Sequence, residues 1–184
     1  MIKKIKYMLI MEKLPSLQRF IKMKKVTVQW STRIMNDKET ITKSKSKYLD
    51  LEEAVYMYVC AYKTRQGGIV FFPKRPIYIG KSYKRQNDET VRDRILEHFN
   101  DDTGKCIMKK CTKNSYVKVG KIILEEIQQI SPKVIQYVEC CLINNNQPLC
   151  NDKPCKISYT GYDLQVTNIG SYKPLKEESL CFRN

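Results

Sequence analysis

The sequence predicts an α/β protein of the α+β kind, with a small three-stranded antiparallel sheet flanked by helices. Three observations carry this. Residues 54–62 and 69–79 are two runs rich in aromatic and β-branched side chains, and they flank Arg65-Gln66-Gly67-Gly68, which reads as a hairpin with a glycine turn. Residues 115–119 form a third such run. Around these lie stretches with apolar residues at helical spacing, such as Val91, Ile95 and Phe99.

Taken in order, residues 12–25 predict a helix interrupted at Pro15, then a short strand over 26–30 and a polar linker through Lys47. The compact part begins near Leu49 with the hairpin, whose second strand is made irregular by Pro73 and Pro76. Residues 90–99 predict a helix, 115–119 the third strand, and 121–130 a further helix on its apolar period. Ser131-Pro132 supplies an N-cap and a proline at the first helical position, opening a helix to about Asn145. The remainder, with Tyr159, Tyr162 and a turn at Asn168-Ile169-Gly170, reads as a hairpin or loop capping the domain. The division expected is a basic extension over 1–48, a compact domain over 49–155 and a capping segment over 156–184.

The chain has 184 residues and a net charge of +15, of which +10 lies in residues 1–47. A lysine-rich arm of this kind neutralises phosphates and releases counterions, so DNA or another nucleic acid is the expected partner. No apolar run is long enough to span a bilayer, and the expected setting is cytoplasmic, without a membrane partner or a small-molecule cofactor. A homodimer is compatible with the sequence. Eight cysteines show no C-x-x-C spacing and are expected as free thiols, with zinc on Cys106, Cys111, Cys150 and Cys155 a minor alternative. One histidine, His98, excludes every centre that needs two.

Tyr78-Ile79-Gly80-Lys81, preceded by Ala54-Val55-Tyr56, followed by Arg94-x3-His98-Phe99 and then by Glu139 with Asn151 twelve residues on, resembles the GIY-YIG nuclease superfamily. The resemblance covers about residues 54–152, with Ala54 where the first motif has glycine. Residues 56 and 78 are symmetric about residue 67 in the turn, which favours Tyr56 as the first tyrosine, while Tyr58 shares its strand parity. The resemblance implies a metal-dependent DNA endonuclease. In it Tyr56 or Tyr78 stands near the attacking water and Lys81 assists. Arg94 and His98 hold the phosphate and water, Glu139 binds the metal, and Asn151 supports the centre.

Chemistry independently asks for these residue types. Phosphodiester hydrolysis needs a cation at the phosphate, a base for water and stabilisation of the leaving oxygen. Arg94 can bind two phosphate oxygens and stays charged, and one helical turn puts His98 on its face. Glu139 sits among Ile135, Val138 and Leu142, where a carboxylate calls for a cation, and one Mg²⁺ (or Mn²⁺) completed by water suits it. A free phenol has a pKa near 10, so about one in a thousand is ionised at neutral pH, and Lys81 is expected to raise that fraction. Lys74, Arg75, Lys84 and Arg85, in segments inserted beside the motifs, are expected to contact DNA phosphates.

Overall fold

The computed structural model describes residues 23–83, 89–111, 114–125, 130–151, 155 and 163–182. Most of the expected helix over 12–25, the arm lysines before it, Lys84, Arg85, Tyr159 and Tyr162 lie outside the described residues.

The strands are β1 (Lys24–Trp30), β2 (Ile34–Met35), β3 (Ala54–Lys63), β4 (Ile69–Phe71), β5 (Tyr78–Ser82), β6 (Asn114–Leu124), β7 (Leu164–Gly170) and β8 (Glu178–Cys181); burial alternates along β1 and β7, whereas β3 is a continuous apolar run. The described helices are α1 (Lys38–Lys43), α2 (Val91–Glu97), α3 (Asp102–Lys110) and α4 (Pro132–Asn146). Local capping explains where each begins. Asp37 accepts from the Thr40 N–H, Thr90 and Asp93 form a reciprocal capping box, Asp101 accepts from the Gly104 N–H, and Ser131 accepts from the Val134 N–H ahead of Pro132.

The small three-stranded antiparallel sheet is overturned. All eight strands belong to one mixed, curled sheet in the order β4-β3-β6-β1-β7-β8, with β2 also on β6 and β5 also on β3. The expected set, β3 with its hairpin partner and β6, is only part of it. The extra strands come from the two ends of the chain: β1 pairs antiparallel with β6 and parallel with β7, from Lys24↔Leu164 to Trp30↔Gly170. β7 and β8 form a hairpin, one of the two alternatives read for the last segment, but Asn168, Ile169 and Gly170 are the end of β7 paired on β1, and the connection lies beyond them at 171–177. Val26, Val28 and Trp30 thereby join Val55, Met57, Ile122, Leu164 and Val166 in one buried cluster beneath α4. That shared burial is the physical reason the strands close into a larger sheet.

Two local expectations are also corrected. Residues 121–124 extend β6 instead of opening a helix, because β1 supplies backbone partners from Val26↔Leu124 to Trp30↔Gly120 and Ile122 points into the core. The linker before Lys47 holds β2 and α1, a short helix anchored by the fully buried Ile41.

β3 is the central positioning element, buried on both faces over its first eight residues. Val55, Met57 and Val59 pack toward α4, while Ala54, Tyr56, Tyr58 and Cys60 pack with Ile77, Val91, Ile95 and Ile107 toward α2 and α3. The hairpin register differs from the symmetric one. Ala61 faces Phe71, but past the proline-bearing interruption at 72–77 Tyr58 faces Tyr78 and Tyr56 faces Gly80. Phe72 and Ile77 still donate to the Cys60 and Tyr58 carbonyls, so the residues between them lengthen the return strand and shift its register.

The cysteines are not all free. Disulfides join Cys60 to Cys111, Cys106 to Cys150 and Cys140 to Cys155, leaving Cys141 and Cys181 as buried thiols. The first two tie α3 and its end to β3 and to the segment carrying Asn151. Pairs separated by 51 and 44 residues are juxtaposed by the sheet, so no local spacing announces them.

Candidate active site

β5 lies at an edge of the sheet beside β3, and its alternation divides its side chains between two helices. Tyr78 packs with the cluster that contains α2, whereas Ile79 packs beneath α4 and Lys81 reaches Glu139 on α4. A small polar pocket of about 220 Å³ opens where the two helices meet around this edge. Tyr56, Tyr78, Lys81, Arg94 and Glu139 line it with Ser82 and Tyr83, so four separate elements deliver the expected side chains to one place.

Gly80 makes that convergence possible. A Cβ at this position would lie 2.7 Å from the Tyr56 hydroxyl and 2.8 Å from the Tyr78 ring. The space vacated by a missing side chain is therefore the space the Tyr56 phenol occupies. Tyr56, Tyr58, Tyr78 and His98 form a tight aromatic group with ring centroids 5.4–6.3 Å apart.

Within this group runs a directed chain of hydrogen bonds. The Tyr56 hydroxyl is 2.8 Å from His98 Nε2, and His98 Nδ1 is 2.7 Å from Asp101 Oδ2. An ionised carboxylate only accepts, so Nδ1 must carry the proton. In neutral His98, Nε2 is then the lone-pair nitrogen that accepts from Tyr56. Asp101's other oxygen accepts from the Gly104 N–H at 2.8 Å, so one side chain caps α3 and fixes the imidazole. Gly104 is also required here, because a Cβ would fall 1.5 Å from the His98 carbonyl oxygen. Burial pushes the Asp101 carboxyl up, but hydrogen bonds from Gly104 and His98 outweigh it and hold its pKa below the ordinary value.

Asp101 is the residue that reading the sequence missed. Its signal is its place three residues after His98, at the N-cap of a helix, the spacing at which one turn brings two side chains together.

The tyrosines are not activated by a free lysine. Lys81 Nζ lies 2.6 Å from Glu139 Oε2, so its charge faces the carboxylate. Burial pushes the Tyr56 hydroxyl well above its usual pKa, with Tyr78 and Tyr58 adding to the effect, and it carries Tyr78 up to about 12. Burial likewise raises the Glu139 pKa, opposed by the hydrogen bond and charge of Lys81. Protonated phenols are therefore the resting state of the pocket.

Arg94 pairs with Glu97 one turn on while still lining the pocket. Asn151 stands behind the site: its Oδ1 accepts from the Ile79 N–H and its Nδ2 donates to the Ile79 carbonyl, both at 2.9 Å. It thus substitutes for a missing strand on the outer edge of β5 and is a positioning residue. Lys74 and Arg75 are exposed, the latter donating to the Gln147 carbonyl at 3.3 Å. Tyr58, the alternative first tyrosine, lines a different cavity.

Among the described residues no group of three or more His, Cys, Asp or Glu side chains is assembled for a metal. Among the described residues, Glu139 is the one carboxylate lining the pocket. Comparison with protein-family models, with curated proteins and with solved structures finds no match for this chain.

Proposed function

We propose that the protein is a nuclease that hydrolyses DNA phosphodiester bonds with one divalent metal ion and a tyrosine–histidine–aspartate relay. The observation that carries this is the meeting of Tyr56, Tyr78, Lys81, Arg94 and Glu139 in one polar pocket, backed by the bonded chain Tyr56–His98–Asp101. The resemblance of the motifs to the GIY-YIG superfamily and the net charge of +15 support the same reading.

The donor set suits Mg²⁺ or Mn²⁺ in a limited way. Glu139 offers one carboxylate, and water and phosphate oxygens complete the shell of an ion that keeps much of its hydration. Such an ion, when bound, neutralises charge on the phosphate and its leaving oxygen. Lys81 holds Glu139 through Oε2 alone, so Oε1 would be left to the ion, and the Lys81 ammonium would add positive charge beside the phosphate. Arg94 binds the non-bridging oxygens and stabilises the extra charge of the transition state.

Because burial keeps Tyr56 protonated, it acts as a relay. A water proton passes to the Tyr56 oxygen as the Tyr56 proton passes to His98 Nε2, and the imidazolium so formed is stabilised by Asp101. The hydroxide attacks phosphorus, the bond to the leaving 3′-oxygen breaks and that oxygen takes a proton from solvent water, while the imidazolium returns its proton through Tyr56 to the hydroxide so formed. Two transfers across short hydrogen bonds replace a costly free phenolate in a desolvated site.

The test is supercoiled plasmid incubated with Mg²⁺, Mn²⁺ or EDTA, comparing the native protein with Glu139→Gln and Arg94→Met. Metal-dependent nicking lost in both variants is expected. A second reading, a binding protein that retains the scaffold without turnover, is favoured by the Lys81–Glu139 ion pair, which neutralises the carboxylate that would hold the ion. Salt-sensitive DNA binding with no cleavage under any of these conditions would select it.

A further inference from the structure

The sheet edge that carries the polar pocket continues past it into a second surface. β6 covers one side of β3, and β4 and β5 follow one another along the other side, β5 on residues 54–58 and β4 on residues 61–63. Phe72 donates its N–H to the Cys60 carbonyl, and Cys60 is two residues along β3 from Tyr58, which faces Tyr78 of the pocket. The backbone of Phe72 therefore joins the sheet roughly 7 Å along the strand direction from Tyr78.

The surface formed there is both aromatic and cationic. Burial on this face ends at Cys60, bridged to Cys111 at the end of α3; Tyr62 beyond it and Phe72 beside it are exposed, the latter at 69%. Tyr62 pairs with Val70 and the ladder continues to Phe72 on Cys60, so the two aromatics share one face on diagonal positions, roughly 7–8 Å apart. Single exposed apolar side chains are ordinary, but two aromatics side by side on an open strand face are a platform for stacking. Residues 61–76 also hold Lys63, Arg65, Lys74 and Arg75, all exposed, and no carboxylate. Among the described residues none of these four is ion-paired. Uncompensated cations draw an anionic partner, and aromatic faces between them suit flat groups carried along that partner's charged chain.

We infer that the 62–75 hairpin is a single-strand platform, on which bases of an unpaired DNA segment stack against Tyr62 and Phe72 while Lys63, Arg65, Lys74 and Arg75 hold its phosphates. The inference rests on the nuclease reading for one point, that the partner is a nucleic acid and not another anionic surface. Continuity with the pocket selects it, because a strand whose phosphate meets Arg94 passes Phe72 when it follows this edge of the sheet. A duplex hides the faces of its bases, so the substrate class is DNA with an unpaired segment beside the cleaved bond.

Binding measured in EDTA keeps the test independent of turnover. The probes are a labelled single-stranded oligonucleotide, an abasic strand of the same length and charge, and vesicles of phosphatidylcholine with phosphatidylserine. Phe72→Ala, at an exposed position, is expected to weaken binding of the base-bearing strand about 5- to 150-fold and to leave the abasic strand unchanged. Phe72→Trp is expected to keep native affinity. The chain's single tryptophan, Trp30, is buried, so the added emission, quenched by the base-bearing strand and not by the abasic one, reports stacking at position 72. Lys74→Ala should weaken both strands alike and reduce the slope of log affinity against log salt by about 0.7. Equal affinity of the native protein and Phe72→Ala for the base-bearing strand overturns the inference. Phe72→Trp emission that responds to the vesicles and not to the strand overturns it in favour of an anionic membrane. Plasmid cleavage alongside a silent Phe72→Ala removes the platform and leaves the nuclease, whereas quenching without cleavage keeps the platform and removes the nuclease.

Discussion

Replacing Asp101 by Asn exchanges one oxygen for an NH₂ group and so separates the two tasks of this side chain. The Oδ1 that caps α3 at 2.8 Å from the Gly104 N–H is retained, and Asn is as good an N-cap as Asp. At the other atom, an acceptor 2.7 Å from His98 Nδ1 becomes a donor. The imidazole then favours the tautomer with its proton on Nε2, which donates to the Tyr56 oxygen instead of accepting from it. Tyr56 can no longer pass a proton backward. Because the Asp101 side chain is 43% exposed, its lost charge-assisted bond is screened, and the stability change expected is only about 1 kcal/mol. The loss of general-base assistance is expected to be far larger, about 10²- to 10⁴-fold in single-turnover plasmid nicking. The chain has a single histidine, so long-range ¹H–¹⁵N spectra report its tautomer without ambiguity. Native protein should show the proton on Nδ1 and Asp101→Asn a shift toward Nε2. An unchanged tautomer together with unchanged cleavage would refute the relay, and a collapse in stability would show that the bond from His98 to Asp101 is chiefly structural.

Gly80→Ala is expected to drive the Tyr56 and Tyr78 rings apart, since its Cβ would meet both within 2.8 Å. Thermal melts should fall by an amount typical of core overpacking, about 1–3 kcal/mol, with nicking lost while salt-sensitive DNA binding persists. Lys118, 1% exposed, donates to the Ser171 and Lys173 carbonyls, and burial, reinforced by Arg33, lowers its pKa to about 8. Between that value and the unfolded value the unfolded chain binds more protons, so stability should rise with pH across about 8 to 10.4, by about 3 kcal/mol. Denaturant midpoints should show this rise in the native protein and lack it in Lys118→Met; equal slopes would remove the assignment.

Much of the polar pocket was legible because its parts lie in short segments with local signatures. Tyr78-Ile79-Gly80-Lys81, Arg94 with His98 one turn on, and a Glu139 embedded in an apolar helix face each declare strand, helix and chemistry within a few residues, and the structure brings them around one edge of the sheet. Ser131-Pro132 likewise marked where α4 begins. The hairpin turn was readable, but the register was not, because residues 72–77 add length between paired segments without altering the alternation on either side.

What the sequence by itself determined is local: strand alternation, helix caps, the order of the motif residues and the excess positive charge. Tertiary structure alone decided which strands pair, that Lys81 turns to Glu139, that Asp101 orients His98, and which cysteines meet. Alternation states that a segment has two faces but not which distant segment covers them. β1 finds β7 about 140 residues away because both can bury their apolar faces beneath α4. The tyrosines' protonation follows from the same closure, since a phenol is driven to hold its proton only when the sheet and helices have removed the water around it.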